Sequence, residues 1–270
     1  MPAITSRRNA IVARFRDAAK GDRDGELLLD GVHLITEAMS AGIRLREVAV
    51  MAGPTGDCAL RDAGAAGAIA ERLRRLEVPI TTASAAVMRA LSPVQSASPI
   101  VAIGERPIAS ASQVYGGSTV VVIALDVQDP GNLGAIVRVA EAGGAGGMVC
   151  AGACANPFGW KALRGSMGSA LRLPILVYRD SHEAIDEARR CGCRIVATVP
   201  RGGRPLFDAD LRGPIAVLIG GEGPGLPATH LGEADDRITI PMQSPVESLN
   251  TAVSAALIVY EAQRQRGRDR

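Results

Sequence analysis

Three polar clusters in the second half of the chain could do chemistry, and each follows an apolar run. The last begins at Ile238-Thr239-Ile240-Pro241-Met242 and passes through Val246-Glu247-Ser248-Leu249-Asn250 into an apolar, Ala-rich run over residues 251–260. The first piece reads as a β-branched strand stopped by Pro241 and the last as a helix. Ser248 and Asn250 are residue types that start helices. A helix N-terminus carries unpaired N–H groups and partial positive charge, so polar side chains there mark a natural ligand site. A capped core helix is the plain alternative. The second cluster spans residues 126–138, with Asn132 at a helix entrance and Arg138 six residues on. It follows the apolar run 119–125, so it sits at the carboxyl end of a buried strand, where α/β sheets bind ligands. The third is Gly220-Gly221-Glu222-Gly223-Pro224-Gly225-Leu226 after another apolar run. Glycines there let a ligand approach the backbone closely.

The elements that must position these residues read as α/β. Residues 7–20 are expected as a helix that leaves Arg7, Arg8, Arg14 and Arg16 available to solvent. Strands near 26–29, 45–51 and 100–103 and helices near 31–41, 68–76 and 87–91 make a small α/β domain over 1–108. A Gly-, Ser- and Pro-bearing connector is expected at about 104–117. From 118 to 270 apolar strands alternate with helices, which predicts a parallel sheet covered on both faces.

Composition narrows the function classes. At 270 residues and a formal net charge of +2, overall charge does not announce a nucleic-acid binder. Only Lys20 and Lys161 are lysines; every other basic residue is arginine, which contacts phosphate in a planar, bidentate way. No N-terminal apolar segment resembles a leader, and the longest apolar run is too short to span a bilayer, so a reducing cytoplasmic setting is expected, with no membrane partner. The five cysteines lack metal-site spacing and read as buried or incidental thiols. His33, His182 and His230 are scattered and suggest no triad or metal cluster, so no metal is expected. The Gly-rich segment 143–147 follows a helix and precedes a strand, the reverse of a dinucleotide-binding order, which argues against a nucleotide-cofactor oxidoreductase.

Taken together, the three clusters resemble the three signature motifs of the SpoU (TrmH-like) RNA ribose methyltransferases of the SPOUT superfamily. Asn132, Gly134 and Arg138 stand for the first motif, Glu222 and the Gly223 to Leu226 ending for the second, and Ile240-Pro241-Met242 with Glu247-Ser248-Leu249-Asn250 for the third. Gly221 stands where relatives often carry Asn, Ser or Ala, a small residue expected to be tolerated. Gln243-Ser244-Pro245 replaces a loop that often holds glycine. Residues 156–174, with Lys161, Arg164, Ser166 and Gly168, resemble a family segment on the substrate side. The resemblance reaches more weakly into the first domain, where Asp30 stands in place of the usual glutamate.

The resemblance implies a fold and a function. The 118–270 domain would be a SPOUT domain with a deep trefoil knot, and the 1–108 domain would bind RNA. S-adenosylmethionine would be held by Leu218, Gly220, Gly221, Gly225, Ile240, Met242, Ser248 and Leu249, largely through backbone. Arg138, Asn132, Glu222, Glu247, Ser248 and Asn250 would carry methyl transfer to a ribose 2′-hydroxyl, with Asn132, Ser248 and Asn250 orienting Arg138 and the ribose. Arg7, Arg8, Arg14, Arg16, Lys161 and Arg164 would contact RNA; a solvated surface residue is the alternative at each. A homodimer through the knotted domain is implied. Ribosomal RNA is favoured, with tRNA methylation or a non-catalytic RNA-binding protein as alternatives.

Overall fold

The computed structural model describes residues 3–21, 25–53, 64–94, 98–117, 119–223 and 225–267. The chain divides into two compact units. One is Met1–Pro107 with Phe158–Leu171; the other is Ile108–Pro157 with Arg172–Arg270.

The first unit holds α1 (Ala10–Lys20), β1 (Glu26–Asp30), α2 (Val32–Ser40), β2 (Leu45–Met51), α3 (Gly64–Arg75), β3 (Ile80–Ala83), α4 (Ala85–Leu91) and β4 (Ile100–Glu105). Its sheet runs β1-β4-β2-β3, with β4 antiparallel to both neighbours and β2 parallel to β3. Asn9 caps α1 through its side chain, and Gly21 ends it in the left-handed conformation that favours glycine. Ile11, Val12 and Phe15 of α1 pack with Val87, Met88 and Leu91 of α4.

The second unit is built on α5 (Ala111–Tyr115), β5 (Val120–Leu125), α6 (Pro130–Ala142) and β6 (Gly147–Ala151). The chain then contributes α7 (Trp160–Ser166) to the first unit, where Trp160 packs against the α1 and α4 core. It returns with β7 (Ile175–Tyr178), α8 (Ser181–Arg190), β8 (Arg194–Thr198), the two-residue β9 (Arg204–Pro205), β10 (Ile215–Gly220), α9 (Ala228–Glu233), β11 (Asp236–Thr239) and α10 (Thr251–Gly267). The seven strands run β7-β6-β5-β10-β8-β11-β9 and all pairs are parallel. β5 is buried at every position, as a strand covered on both faces should be.

Several expectations change. Phe158–Leu171 was expected inside the second domain, and it groups with the first unit. The expected connector contains α5, started by a capping box in which Ser110 and Gln113 bond each other's backbone. Val114 and Tyr115 of that helix are buried. Helix α6 begins at Pro130, capped by Asp129, so Asn132 lies inside its first turn. No described helix is long and apolar enough to cross a membrane.

The carboxyl ends of β5 and β10 meet with almost no room. Leu125 and Gly220 are register partners, and the Gly221 N–H donates to the Leu125 carbonyl at 2.8 Å. Asp126 has φ +56° and accepts from the Ala153 N–H at 2.7 Å through its carboxylate. A Cβ on Gly221 would stand 2.1 Å from the Asp126 carbonyl oxygen, so glycine is required here, beyond the small residue expected from sequence. Gly221→Ala should therefore lower stability by about 1–3 kcal/mol, the usual range for overpacking. Gly232→Ala, on α9 with nothing near its Cβ, should leave the unfolding free energy within about 0.5 kcal/mol of wild type or above it. Urea unfolding of the two variants checks both.

Candidate active site

The site assembles from the segments that leave β5, β10 and β11. Because β5 and β10 are adjacent and parallel, the first turn of α6 and the glycine-rich loop start side by side. The segment after β11 reaches the same place at the start of α10.

One side chain joins all three. Asn132 donates through Nδ2 to Glu222 Oε1, 90 positions away. Its Oδ1 accepts from Asn250 Nδ2 at 3.0 Å, 118 positions away. Asn250 in turn caps α10, its Oδ1 accepting from the N–H groups of Ala252 at 2.9 Å and Val253 at 3.3 Å. The Asn132 backbone N–H donates to Asp129 Oδ1 at 2.7 Å. An asparagine amide offers donors on one side and an acceptor on the other, and both sides are used.

Beside this tie lies a cleft of about 500 Å³, within the range of small-molecule sites. Ile219, Leu226, Ile240, Met242 and Leu249 give it apolar walls. Gly220, Gly221, Gly225 and Ser248 also line it, together with Glu222 and Asn250. Thr198 at the end of β8, and Val199 and Pro200 after it, line it too. These three were missed, because a β-strand followed by Pro carries no chemical signal.

Leu218 does not line the cleft. It is fully buried in the sheet core, and its carbonyl accepts from Thr198 Oγ1 at 2.9 Å. Its neighbour Ile219 lines the cleft instead, since successive strand residues face opposite sides. Arg138 is exposed and holds no hydrogen bond or ion pair among the described residues. It lies roughly 9 Å along the helix from Asn132, at 1.5 Å per residue. Asn132 bonds Glu222 and Asn250, and no hydrogen bond joins it to Arg138. Glu247 is exposed and does not line the cleft.

The six basic residues expected to contact RNA all lie in the first unit, but they are not equivalent. Arg14 is committed to structure: it pairs with Glu26 at 3.0 Å and Glu47 at 2.7 Å. Arg7 and Arg16 donate through Nε to the carbonyls of Ala86 and Ala90 on α4, each at 3.2 Å, which leaves their outer nitrogens without a hydrogen bond among the described residues. Lys161 lies over the Trp160 ring at 5.6 Å. Arg8 and Arg164 are exposed. Ser166 is buried and bonds the Leu163 carbonyl within its own helix, which marks it as structural.

Two of the cysteines are held inside the fold. Cys154 donates to the Ala124 carbonyl and accepts from the Val127 N–H, each at 3.3 Å, and burial pushes its thiol above the ordinary value. Cys150 is fully buried and its thiol is pushed well up by the same cause. Cys58 lies outside the described residues. The histidines, however, are not scattered. His182 and His230 meet edge to face, ring centroids 4.6 Å apart. They are far apart in sequence, but α8 and α9 both pack on β8.

A parallel α/β unit whose strand ends carry a glycine-rich, apolar-walled cleft tied by an amide defines a small-molecule-binding domain of the enzyme kind. The SpoU rRNA Methylase family model matches residues 119–260, more than half of the chain, and the chain belongs to this family. It is 30% identical to an uncharacterized tRNA/rRNA methyltransferase of Synechocystis, over 97% of this chain and 94% of that one. It is 39% identical to the 23S rRNA (uridine(2479)-2′-O)-methyltransferase of Streptomyces viridochromogenes, over 51% of this chain; the match spans half of that relative's length. The AdoMet-bound rRNA methyltransferase of Sinorhizobium meliloti superposes with a TM-score of 0.83 and 25% identity, covering 97% of each chain.

The tie predicts a pH signature. Asn132→Asp removes the donor to Glu222 and sets two carboxylates together, which should cost about 1–3 kcal/mol at neutral pH. Like charges raise one carboxyl's folded pKa above its unfolded value, so the deficit is present above the unfolded value and shrinks as pH falls toward about 4. Asn132→Ala should show no comparable recovery. Urea unfolding across pH distinguishes them.

Proposed function

We propose that this chain is a cytoplasmic, S-adenosylmethionine-dependent RNA methyltransferase that acts on a ribose 2′-hydroxyl, with ribosomal RNA as the substrate class. The observation that carries the reading is the Glu222–Asn132–Asn250 tie, which gathers all three motif segments beside one cleft. Support for ribosomal RNA comes from the Sinorhizobium enzyme, whose likeness extends over both units of this chain.

The cleft suits the cofactor. Its size is right, its apolar walls match a flat base and a thioether-like chain, and its glycines leave backbone groups accessible. Ile219, Gly220, Leu226, Ile240, Met242 and Leu249 would hold it. When bound, S-adenosylmethionine supplies a methyl group on a sulfonium, an electrophile that needs no further activation.

The chain's residues must place the ribose hydroxyl in line with that methyl, exclude water and take up the proton. The bound cofactor would supply the methyl carbon and carry away the sulfur as its leaving group, and the hydroxyl proton would pass to a base beside the ribose. A guanidinium is a fork of N–H donors with no acceptor, so Arg138 acts by gripping a ribose or phosphate oxygen. Glu247, or a substrate phosphate, accepts the proton. Ser248, exposed at the cleft rim, orients the ribose.

The finer fold and assembly belong to the same proposal. The 118–270 portion forms a deep trefoil knot, and the chain forms a homodimer through it. Support comes from α10, which buries Ala252, Ala255, Ile258, Val259 and Ala262 on one side. It leaves Val253, Leu257 and Tyr260 at 48, 39 and 49% exposure on the other. Two apolar faces on one helix call for two partners. The first unit binds RNA, through Arg7, Arg8, Arg16, Lys161 and Arg164.

Labelled methyl from S-adenosylmethionine should enter unmodified total RNA, in the ribosomal fraction, at nucleotides resistant to alkaline cleavage. Label confined to tRNA would reverse the substrate class; no label with no cofactor binding would remove the reading. Arg138→Ala should lower turnover about 100-fold or more, the scale of a positioned catalytic group, with cofactor affinity unchanged. Leu257→Glu should shift sedimentation from dimer to monomer; an unchanged dimer would place the interface elsewhere.

A further inference from the structure

Outside the cleft, α8 and α9 bring together Ser181, His182, His230 and Glu233. His230 is only 3% exposed, and its Nδ1 is buried without a hydrogen-bond partner. Its other ring nitrogen, Nε2, lies 2.8 Å from Ser181 Oγ. Glu233 reaches both histidines: Oε1 lies 3.0 Å from His182 Nδ1 and Oε2 lies 3.5 Å from His230 Nδ1. One ligand atom from each of the three residues falls within 4.8 Å of the others.

These distances suit one ion. Two ligands about 2.0–2.1 Å from a tetrahedral zinc stand roughly 3.3–3.4 Å apart; the two glutamate–histidine distances, one through each carboxylate oxygen, are 3.0 and 3.5 Å, and one atom from each of the three residues lies within 4.8 Å of the others. The tautomer suits it as well. With Nε2–H donating to Ser181 Oγ, Nδ1 turns a lone pair toward a carboxylate, and two acceptors face each other across a buried gap. A cation between them satisfies both. Ligating histidines commonly donate their second nitrogen to a neighbouring oxygen, which fixes ring and tautomer. Imidazole and carboxylate donors favour zinc-class transition metals over calcium or magnesium.

We propose that His182, His230 and Glu233 bind one zinc-class divalent ion, with Ser181 fixing the His230 tautomer. His182 and Glu233 are half exposed, so water completes the coordination. The ion braces α9 against the start of α8. Leu231, next to His230, lines the cleft, so the brace also steadies one cleft wall.

The test uses the untagged full chain, freed of metal by chelation and titrated with Zn²⁺ by calorimetry and thermal unfolding. One ion should bind per chain, at micromolar affinity or tighter, and should raise the unfolding temperature. His182→Ala and Glu233→Gln, both at exposed positions, should each weaken binding at least about ten-fold, and Ser181→Ala by about ten-fold. Cys191→Ser, which removes an exposed thiol, should leave binding unchanged. Co²⁺ should give the visible absorption of a tetrahedral nitrogen and oxygen site. Absence of Zn²⁺ binding by the wild-type chain would overturn the proposal. So would binding that survives both His182→Ala and Glu233→Gln, or binding lost in Cys191→Ser. None of these outcomes depends on methyl transfer.

Discussion

The site depends on one carboxamide. Asn132 must donate in one direction and accept in the other, because Glu222 offers only acceptors and Asn250 turns its donor inward. Neither an ionised aspartate, which only accepts, nor an alanine can do both. Each exposed bond is worth about 1 kcal/mol at most, so the tie contributes little to global stability. Its role is positional. The glycine-rich loop and the segment before α10 bury few apolar groups of their own and would otherwise wander. Fixing them before a ligand arrives lowers the ordering cost of binding.

That tie in turn needs the β5–β10 adjacency. The Asp126 carbonyl presses on Gly221, and Gly220 abuts Gly225 so closely that a Cβ would stand 2.6 Å from the Gly225 carbonyl carbon. Glycine here serves chain crossing first and ligand access second. The same physical division runs through the arginines of the first unit. Glu26 is buried and takes Arg14 and Arg46 on a single oxygen, which neutralises a carboxylate that would be costly alone. A row of arginines in the sequence is therefore partly scaffold and partly free surface.

The strands β5 and β10 and the start of α10 are legible in the sequence for local reasons. Long apolar runs end at turn residues, and helix starters follow. The family motifs then bring Asn132, Glu222 and Asn250 into one site. What local pattern cannot show is partnership across sequence distance. Arg14 reads as solvent-facing until Glu26 and Glu47 are placed beside it. His182 and His230 read as isolated until β8 aligns α8 and α9. Leu218 and Ile219 differ only in which face of β10 they take, and a continuous apolar run hides that alternation. Helix α5 hides behind Ser and Ala residues that resemble a linker, although the Ser110–Gln113 capping pair is present. Residues 158–171 carry no compositional break, so their grouping with the first unit is a tertiary fact.

Arg138 shows what an unpartnered charge can mean. It sits on α6, the helix that packs against α10, and no described carboxylate or carbonyl engages it. Other guanidinium groups of this chain do pair with anions, as Arg172 does with Glu141 at 2.7 Å. A cation left unsatisfied beside an anchored network is poised for an anion from outside. On the proposed reading that anion is an RNA phosphate, or the ribose oxygen as its negative charge develops. The exposed apolar stripe lies on the helix packed against α6. On the proposed reading a second copy docks on that stripe and completes α10 on the side opposite its buried face.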